Sequence, residues 1–91
     1  MDTLIFHNGS IIPLSKARLS PGQMGLLMGW GVFTTLRVYE GKPFAFDRHW
    51  ARMPHDAERL GMSLGQEQEA VRQSVSKLAA ANGRPEGMAR V

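Results

Sequence analysis

Two arginines are the residues of this 91-residue chain whose type and position most need a chemical explanation. Arg52 falls on the stripe of a predicted helix that should face inward, three residues after His49 and four before Asp56. Its guanidinium group keeps its charge and presents a planar fork of donors that suits phosphate. An inward Arg52 must therefore meet an anion or extend its charged end to solvent, and the residues alone leave both interpretations open.

Arg37 raises the same question on a strand that we predict from Gly31 to Glu40. The alternation of side chains along a strand divides this segment into two faces. One face carries Val32, Thr34, Leu36 and Val38, and the other carries Phe33, Thr35, Arg37 and Tyr39. A mixed aromatic and polar face is typical of a pocket wall, although it can also be simply exposed.

Other chemistries find less support in the sequence. The three histidines are not spaced as metal ligands, and we interpret His49 as a hydrogen-bonded packing residue. No serine lies in a Gly-x-Ser-x-Gly motif. Four glycines precede a strand instead of opening a helix, which favours a tight loop over a nucleotide-binding loop. They are Gly22, Gly25, Gly29 and Gly31.

The composition is that of one small globular domain, with 43% hydrophobic residues, 21% charged residues and no cysteine. Eleven Lys and Arg residues exceed eight Asp and Glu residues, but they are scattered, which favours a solvated surface or a small anionic ligand over nucleic acid. No signal peptide and no apolar run of membrane-spanning length, roughly 20 residues, is evident. We therefore expect a soluble, cytoplasmic protein without nucleic-acid, membrane or metal partners.

The hydrophobic pattern predicts two hairpins and a final strand. Residues Thr3 to Leu14 form the first hairpin around an Asn8-Gly9 turn, and a loop follows from Ser15 to Gly29. The strand from Gly31 to Glu40 then pairs with a second strand from Lys42 to Phe46. The last residues, Met88 to Val91, open a further strand that is cut short.

Two helices are predicted between the second hairpin and the last strand. The first begins at an Asp47 N-cap, runs to about Leu60 and should be kinked by Pro54. Its inward stripe is expected to be His49, Arg52, Met53, Asp56, Ala57 and Leu60. The second runs from about Gly65 to Asn82, with a Ser63–Gln66 capping box and a Gly83 C-cap. The resulting fold class is α+β, a mostly antiparallel sheet with two helices packed on one face.

Taken together, four segments resemble a known family. They are Ile5 to Gly9, Gly29 to Tyr39, Gly41 to Phe44 and His49 to Ala57. The second and fourth are similar to the patterns G-x-G-V-F-E-x-x-R-x-Y and H-x-x-R-L-x-x-S-A. These patterns occur in the N-terminal region of the class IV, or fold-type IV, pyridoxal-phosphate enzymes. That family includes branched-chain and D-amino-acid aminotransferases and 4-amino-4-deoxychorismate lyases.

The resemblance implies a cofactor and a set of site residues. Pyridoxal 5'-phosphate would be the cofactor, with its phosphate held by Arg52. Phe33, Thr35 and Arg37 would line the substrate pocket, and the substrates would be an amino acid and a 2-oxo acid. Relatives are dimers, so the resemblance also implies a homodimer.

Departures from the family pattern leave the reaction open. Thr34 stands where the family often has Glu. This threonine is nearer the form of the motif in the deoxychorismate lyases. Met28 stands where branched-chain aminotransferases often have Tyr. Pro54 is unusual, and Asp56 replaces Ser. An aminotransferase is therefore our first hypothesis, a 4-amino-4-deoxychorismate lyase the second, and a non-catalytic short binding domain the third.

The resemblance also implies that part of the site lies elsewhere. In relatives the catalytic lysine belongs to a second domain, and Lys16, Lys42 and Lys77 match no motif of that kind. Lysine is indispensable in these enzymes because its amine holds the cofactor aldehyde and moves the proton. We therefore expect residues 1–91 to be the N-terminal domain of a truncated chain, with no catalytic residue of its own and no activity alone.

Overall fold

The computed structural model describes residues 3–22, 31–61 and 63–91. Several predictions fall outside these ranges. They concern the loop glycines Gly25 and Gly29, the motif residue Trp30, and the departure at Met28. Within the described ranges, no helix is long and apolar enough to cross a membrane.

The first hairpin has the predicted turn. Strands β1 (Leu4–His7) and β2 (Ser10–Pro13) pair antiparallel, with His7 opposite Ser10. The two turn residues both have positive φ, 49° at Asn8 and 86° at Gly9. Asn and Gly are the residues that adopt this backbone most readily, so the Asn-Gly pair fixes the register of the hairpin. A short 3-10 helix, Leu14–Lys16, follows it.

A second, three-stranded sheet forms the centre of the molecule. Its strands are β3 (Thr35–Tyr39), β4 (Lys42–Pro43) and β5 (Gly87–Arg90), in the order β4-β3-β5 and all antiparallel. The predicted final strand is thus confirmed as an edge strand of this sheet. The strand predicted from Gly31 begins later, at Thr35. The partner predicted to reach Phe46 has only two residues, because Ala45 adopts a left-handed conformation (φ 54°) that starts a helix.

Both predicted helices are present, but they begin at other residues than expected. Helix α1 spans Phe46–Arg59 with Ala45 at the N-cap, so Asp47 lies in the first turn and is not the cap. Its carboxylate instead accepts hydrogen bonds from Gln68 and Arg72 of helix α2 and ties the two helices together. Helix α2 spans Gln68–Ala81. The predicted Ser63–Gln66 capping box is wrong, since the N-cap is Glu67 and has no side-chain cap bond.

The C-terminus of α2 ends as predicted at Gly83. This glycine has φ +64°, a conformation that residues with a Cβ rarely adopt. Its N–H donates to the carbonyl of Ala80, and the N–H of Arg84 donates to the carbonyl of Ala79. This pair of bonds is a Schellman motif, which satisfies carbonyl groups that the end of a helix leaves without partners.

The core lies between the three-stranded sheet and one side of each helix. Its buried members are Leu36 and Val38 from β3, Phe46 from α1, and Val75 and Ala79 from α2. Trp50, Val71, Ala89 and Val91 pack around them, partly buried. Helices on one face of an antiparallel sheet give the α+β class that the sequence predicts.

The inward stripe predicted for α1 is only partly correct. Met53 and Ala57 are buried, and His49 and Asp56 are half-buried. Arg52 and Leu60, however, are exposed. Each residue of an α-helix turns by about 100°, so Arg52 lies more than a quarter turn away from the Met53–Ala57 line. Leu60 lies one residue beyond the last helical residue, where the face no longer continues. The helix itself runs through Pro54 without interruption.

Asn82 joins the first hairpin to the rest of the fold. Its side-chain oxygen accepts from the N–H of Leu4 at 2.8 Å, and its amide nitrogen donates to the carbonyl of Leu4 at 2.9 Å. Replacing Asn82 by alanine removes the side-chain partner of the backbone N–H and carbonyl groups of the half-buried Leu4. We expect this loss to lower the free energy of unfolding by about 1–3 kcal/mol. We expect hydrogen exchange to speed up across β1 and β2 in the intact protein.

The matched control for that substitution lies on the same helix. Ser74 donates only to the carbonyl of Ala70 within α2, so Ser74→Ala should leave hairpin exchange unchanged. Unchanged hairpin exchange in Asn82→Ala would show that the hairpin is held by other contacts.

Candidate functional site

Arg52 lines an open depression at the N-terminal half of α1. The other lining residues are Phe44, Ala45, Arg48 and His49. The left-handed Ala45 turns the chain sharply from β4 into α1. Arg48 and Arg52 are one helical turn apart, so their side chains leave the same side of the helix. The depression therefore has two permanent positive charges and an imidazole at its rim, and no acidic residue among those that line it.

His49 is held in this depression from the sheet side. Its Nδ1 lies 2.8 Å from the hydroxyl oxygen of Thr34. Thr34 is only 3% exposed and belongs to the inward face of the segment that leads into β3. The interpretation of His49 as a hydrogen-bonded packing residue agrees with this contact, although the ring also lines the depression.

The outer face of β3, together with the same side of the segment that leads into it, carries the three residues predicted to line a substrate pocket. Phe33 is 64% exposed, Thr35 is half-buried and Arg37 is exposed, while their neighbours Thr34 and Leu36 are buried. The two faces predicted from side-chain alternation are thus confirmed. This surface is partly apolar and cationic, which are the properties of a wall that can contact an organic anion.

Arg90 of β5 completes this outer face. The register pairs Arg90 with Thr35, and its Nε donates to the Thr35 hydroxyl at 3.4 Å. Its guanidinium carbon lies 5.1 Å from the centre of the Phe33 ring, within range of a cation–π interaction. Arg90 and Arg37 therefore place two guanidinium groups on one side of the sheet.

Neither Arg90 nor Arg48 was singled out from the sequence. Arg90 lies in a strand of only four residues, and the register that puts it beside Thr35 depends on a contact between distant parts of the chain. A signal for Arg48 did exist, because it precedes Arg52 by four residues on the predicted helix. Arg48 lies outside the predicted inward stripe, so helical periodicity does not mark it as a site residue.

The predicted site residues fall in two regions of the described structure. Phe33, Thr35 and Arg37 share the outer face of β3. Arg52 lies at the depression on α1, and among the described residues no hydrogen bond or ion pair joins it to those three. A second open groove, between β4 and α2, contains Lys42 and Lys77 but none of the predicted site residues. In that groove the charge of Arg72 is already paired with Asp47.

The residues that line the depression have the positive charge and the hydrogen-bond donors that suit an anion. Arginine donors suit a phosphate group because a guanidinium can donate more than one charge-assisted hydrogen bond, and a histidine ring N–H can add one more. Among the described residues, no group of three or more His, Cys, Asp and Glu side chains is placed to hold a metal ion. None of the depression's lining residues is a lysine that could form a covalent bond with a cofactor aldehyde.

Comparison with known proteins gives matches in sequence. A family model described as amino-transferase class IV matches residues 31–91. Aminodeoxychorismate lyase from Bacillus subtilis (strain 168) is 35% identical over 88 residues, which cover 97% of this chain and 30% of that protein. D-alanine aminotransferase from Staphylococcus aureus (strain N315) is 35% identical over 60 residues, which cover 66% of this chain and 21% of that protein.

Solved structures match as well. A branched-chain amino acid aminotransferase from T.th., complexed with N-(5'-phosphopyridoxyl)-L-glutamate, superposes with a TM-score of 0.86 at 26% identity. The match covers 99% of this chain and 32% of that one. The 4-amino-4-deoxychorismate lyase from Pseudomonas aeruginosa gives a TM-score of 0.61 at 35% identity, over 81% of this chain and 26% of that one.

These matches agree on the scaffold while spanning different reactions. The chain spans about a third or less of the length of each of these relatives. The family model nevertheless covers both the β3 segment and helix α1, where the predicted site residues lie. On this basis the chain belongs to the class IV aminotransferase family of pyridoxal-phosphate enzymes.

Proposed function

We propose that this chain is the N-terminal domain of a pyridoxal-phosphate-dependent aminotransferase that moves an amino group between an amino acid and a 2-oxo acid. The observation that carries this proposal is the superposition of 99% of the chain on an aminotransferase whose ligand joins a phosphopyridoxyl group to glutamate. Residues 1–91 would form the N-terminal domain, and a second domain outside this chain would supply the catalytic lysine.

The depression on α1 fits the phosphate of this cofactor. Arg52, Arg48 and His49 surround an open space, and no carboxylate among its lining residues opposes an anion. We propose that Arg52 binds the phosphate. The exposure of its side chain in the described structure is consistent with this role, because a guanidinium group that awaits an anion must be accessible.

The outer face of β3 would serve the substrate. When bound, pyridoxal phosphate supplies an electron sink for the carbanion that forms at the substrate's α-carbon. In our proposal Phe33 packs against the organic part of the substrate, while Arg37 attracts a carboxylate. Thr35, whose hydroxyl accepts from Arg90, holds that arginine beside the Phe33 ring, where it could contact a second carboxylate. Amino acids and 2-oxo acids both carry the carboxylate that such arginines bind.

A second function has specific support. The Bacillus subtilis aminodeoxychorismate lyase matches 97% of the chain at 35% identity, and Thr34 is nearer the lyase form of the family motif than Glu would be. Our alternative proposal is therefore a lyase that cleaves 4-amino-4-deoxychorismate to 4-aminobenzoate and pyruvate. In either case we propose a homodimer in the cytoplasm, by analogy with the family.

One experiment separates the two functions. The intact protein that carries this segment should be purified with pyridoxal phosphate and assayed in parallel for transamination and for 4-aminobenzoate release. We expect visible absorbance from the bound cofactor and transamination of an amino acid. Release of 4-aminobenzoate without transamination would replace the first function by the second. Absence of cofactor absorbance and of both activities would contradict both and favour the non-catalytic alternative.

A further inference from the structure

We propose that His49 is a second anion-binding group of the depression lined by Arg52, and that Thr34 is the positioning residue that sets its ring. This inference rests on the proposed function, since it takes the phosphate of pyridoxal phosphate as the anion. It adds a histidine donor to the arginine of the proposed phosphate site. It also gives a role to Thr34, where the family often has Glu.

Thr34 is held rigidly in the sheet. Its side chain is buried, with 3% exposure. Its backbone exchanges both hydrogen bonds with Val91, from Thr34 N to Val91 O at 3.0 Å and from Val91 N to Thr34 O at 2.9 Å. The hydroxyl group is therefore fixed to the sheet. Its distance of 2.8 Å to His49 Nδ1 ties the imidazole of α1 to that fixed point.

The Thr34 hydroxyl group can determine which nitrogen of the His49 imidazole carries the proton. A neutral histidine carries one N–H, and the hydrogen bond at one ring nitrogen decides which nitrogen has it. A hydroxyl group can donate as well as accept. When the Thr34 hydroxyl donates to Nδ1, the proton of the neutral ring resides on Nε2. That N–H has no hydrogen-bond partner among the described residues, and His49 lines the depression beside Arg52.

Threonine and the glutamate that the family often has at this position would act differently on His49. A glutamate carboxylate can only accept, so it would require an N–H at Nδ1 and would add a negative charge next to the anion site. Threonine adds no charge. It allows the neutral ring to offer its Nε2–H to the phosphate, and it leaves the positive charges of Arg48 and Arg52 uncompensated among the residues that line the depression.

The test uses the intact protein and two ligands that differ only in the phosphate group. Affinities for pyridoxal phosphate and pyridoxal are measured by absorbance titration for the parent and for the Thr34→Val, Thr34→Ser and His49→Ala variants. Valine has nearly the shape of threonine but no hydroxyl group, whereas serine keeps the hydroxyl. Nitrogen-15 NMR of labelled histidine in the cofactor-free protein reports which ring nitrogen of His49 carries the proton.

We expect Thr34→Val and His49→Ala each to weaken pyridoxal phosphate binding by about tenfold, the usual effect of one hydrogen bond to a charged group. Binding of pyridoxal should be unchanged, and Thr34→Ser should restore the parent affinity. The NMR signals should place the proton of the neutral ring on Nε2 in the parent and in Thr34→Ser, and Thr34→Val should alter that preference.

Besides an unaffected His49 variant, two results would overturn the inference. One is equal loss of pyridoxal and pyridoxal phosphate binding in Thr34→Val, which would indicate a purely structural role. The other is an NMR result in which the neutral His49 ring of the parent carries its proton on Nδ1. Both are distinguishable from failure of the proposed phosphate site, because Arg52→Ala tests that site separately. If Arg52→Ala weakens pyridoxal phosphate binding while the His49 variant does not, the proposed function stands and this inference fails.

Discussion

Replacing Arg52 by alanine is expected to weaken binding of pyridoxal phosphate to the intact protein by about tenfold to a hundredfold. A guanidinium group can donate two parallel hydrogen bonds to a phosphate, and each hydrogen bond to a charged group contributes about 1.5–3 kcal/mol. The expected range, about 1.4–2.7 kcal/mol, is lower than the sum of two such bonds, because solvent screens the interaction of an exposed side chain. The measurement is an absorbance titration with pyridoxal phosphate, repeated with pyridoxal.

The same helix offers a matched control. Arg59 is exposed at the last turn of α1, outside the depression, so Arg59→Ala removes an equal charge without touching the proposed site. It should leave both affinities unchanged. Arg52→Lys should fall between parent and alanine, because an ammonium group keeps the charge but lacks the planar fork. Equal effects of Arg52→Ala and Arg59→Ala would reduce the role of Arg52 to general attraction of an anion.

Replacing Leu36 by alanine is expected to have the largest effect on stability, about 2–5 kcal/mol. Leu36 is 1% exposed and belongs to the central strand of the sheet, where it packs among the buried core residues. Removing its side chain loses the burial of an apolar group and leaves a cavity that the surrounding structure fills only in part. The measurement is hydrogen exchange of β3 and β5 in the intact protein at increasing urea concentration.

An exposed leucine provides the control for that substitution. Leu14 is 54% exposed, so Leu14→Ala should change stability by less than about 0.5 kcal/mol. A cost for Leu36→Ala no larger than that for Leu14→Ala would mean that the sheet–helix core does not stabilise this domain. Leu36 lies between Thr35 and Arg37 on the same strand, although their side chains point to the opposite face. Loss of core packing should therefore also disturb the proposed substrate wall.

Local rules of sequence predict much of this fold. The Asn8-Gly9 turn and the Gly83 helix end follow from backbone conformations that few residues adopt, and both are confirmed. The alternation along β3 likewise predicts which side chains are buried, because one face of an open sheet packs on helices while the other does not. Such features depend on neighbouring residues, which a sequence displays directly.

Features that depend on distant contacts could not be predicted in the same way. Asp47 has the side chain of an N-cap, but its carboxylate binds Gln68 and Arg72 of the other helix. The pairing of Arg90 with Thr35 requires the register between β3 and β5, which joins residues 55 positions apart. The contact between Thr34 and His49 similarly needs the packing of α1 against the sheet.

The inward stripe predicted for α1 is partly wrong for a related reason. Spacing of three and four residues defines a broad face, and residues at its edge can be buried or exposed depending on what the helix packs against. Arg52 lies at that edge and is exposed, whereas Met53 next to it is buried. The motif, and not the periodicity, is therefore what marks Arg52 as a candidate ligand of the cofactor.

The most direct measurement is a crystal structure of the intact protein with pyridoxal phosphate bound. We expect the phosphate oxygens to lie within hydrogen-bonding distance of the Arg52 guanidinium, in the depression between the β4–α1 turn and the first half of α1. A cofactor phosphate bound elsewhere, with Arg52 surrounded only by water, would contradict the proposed site on this domain.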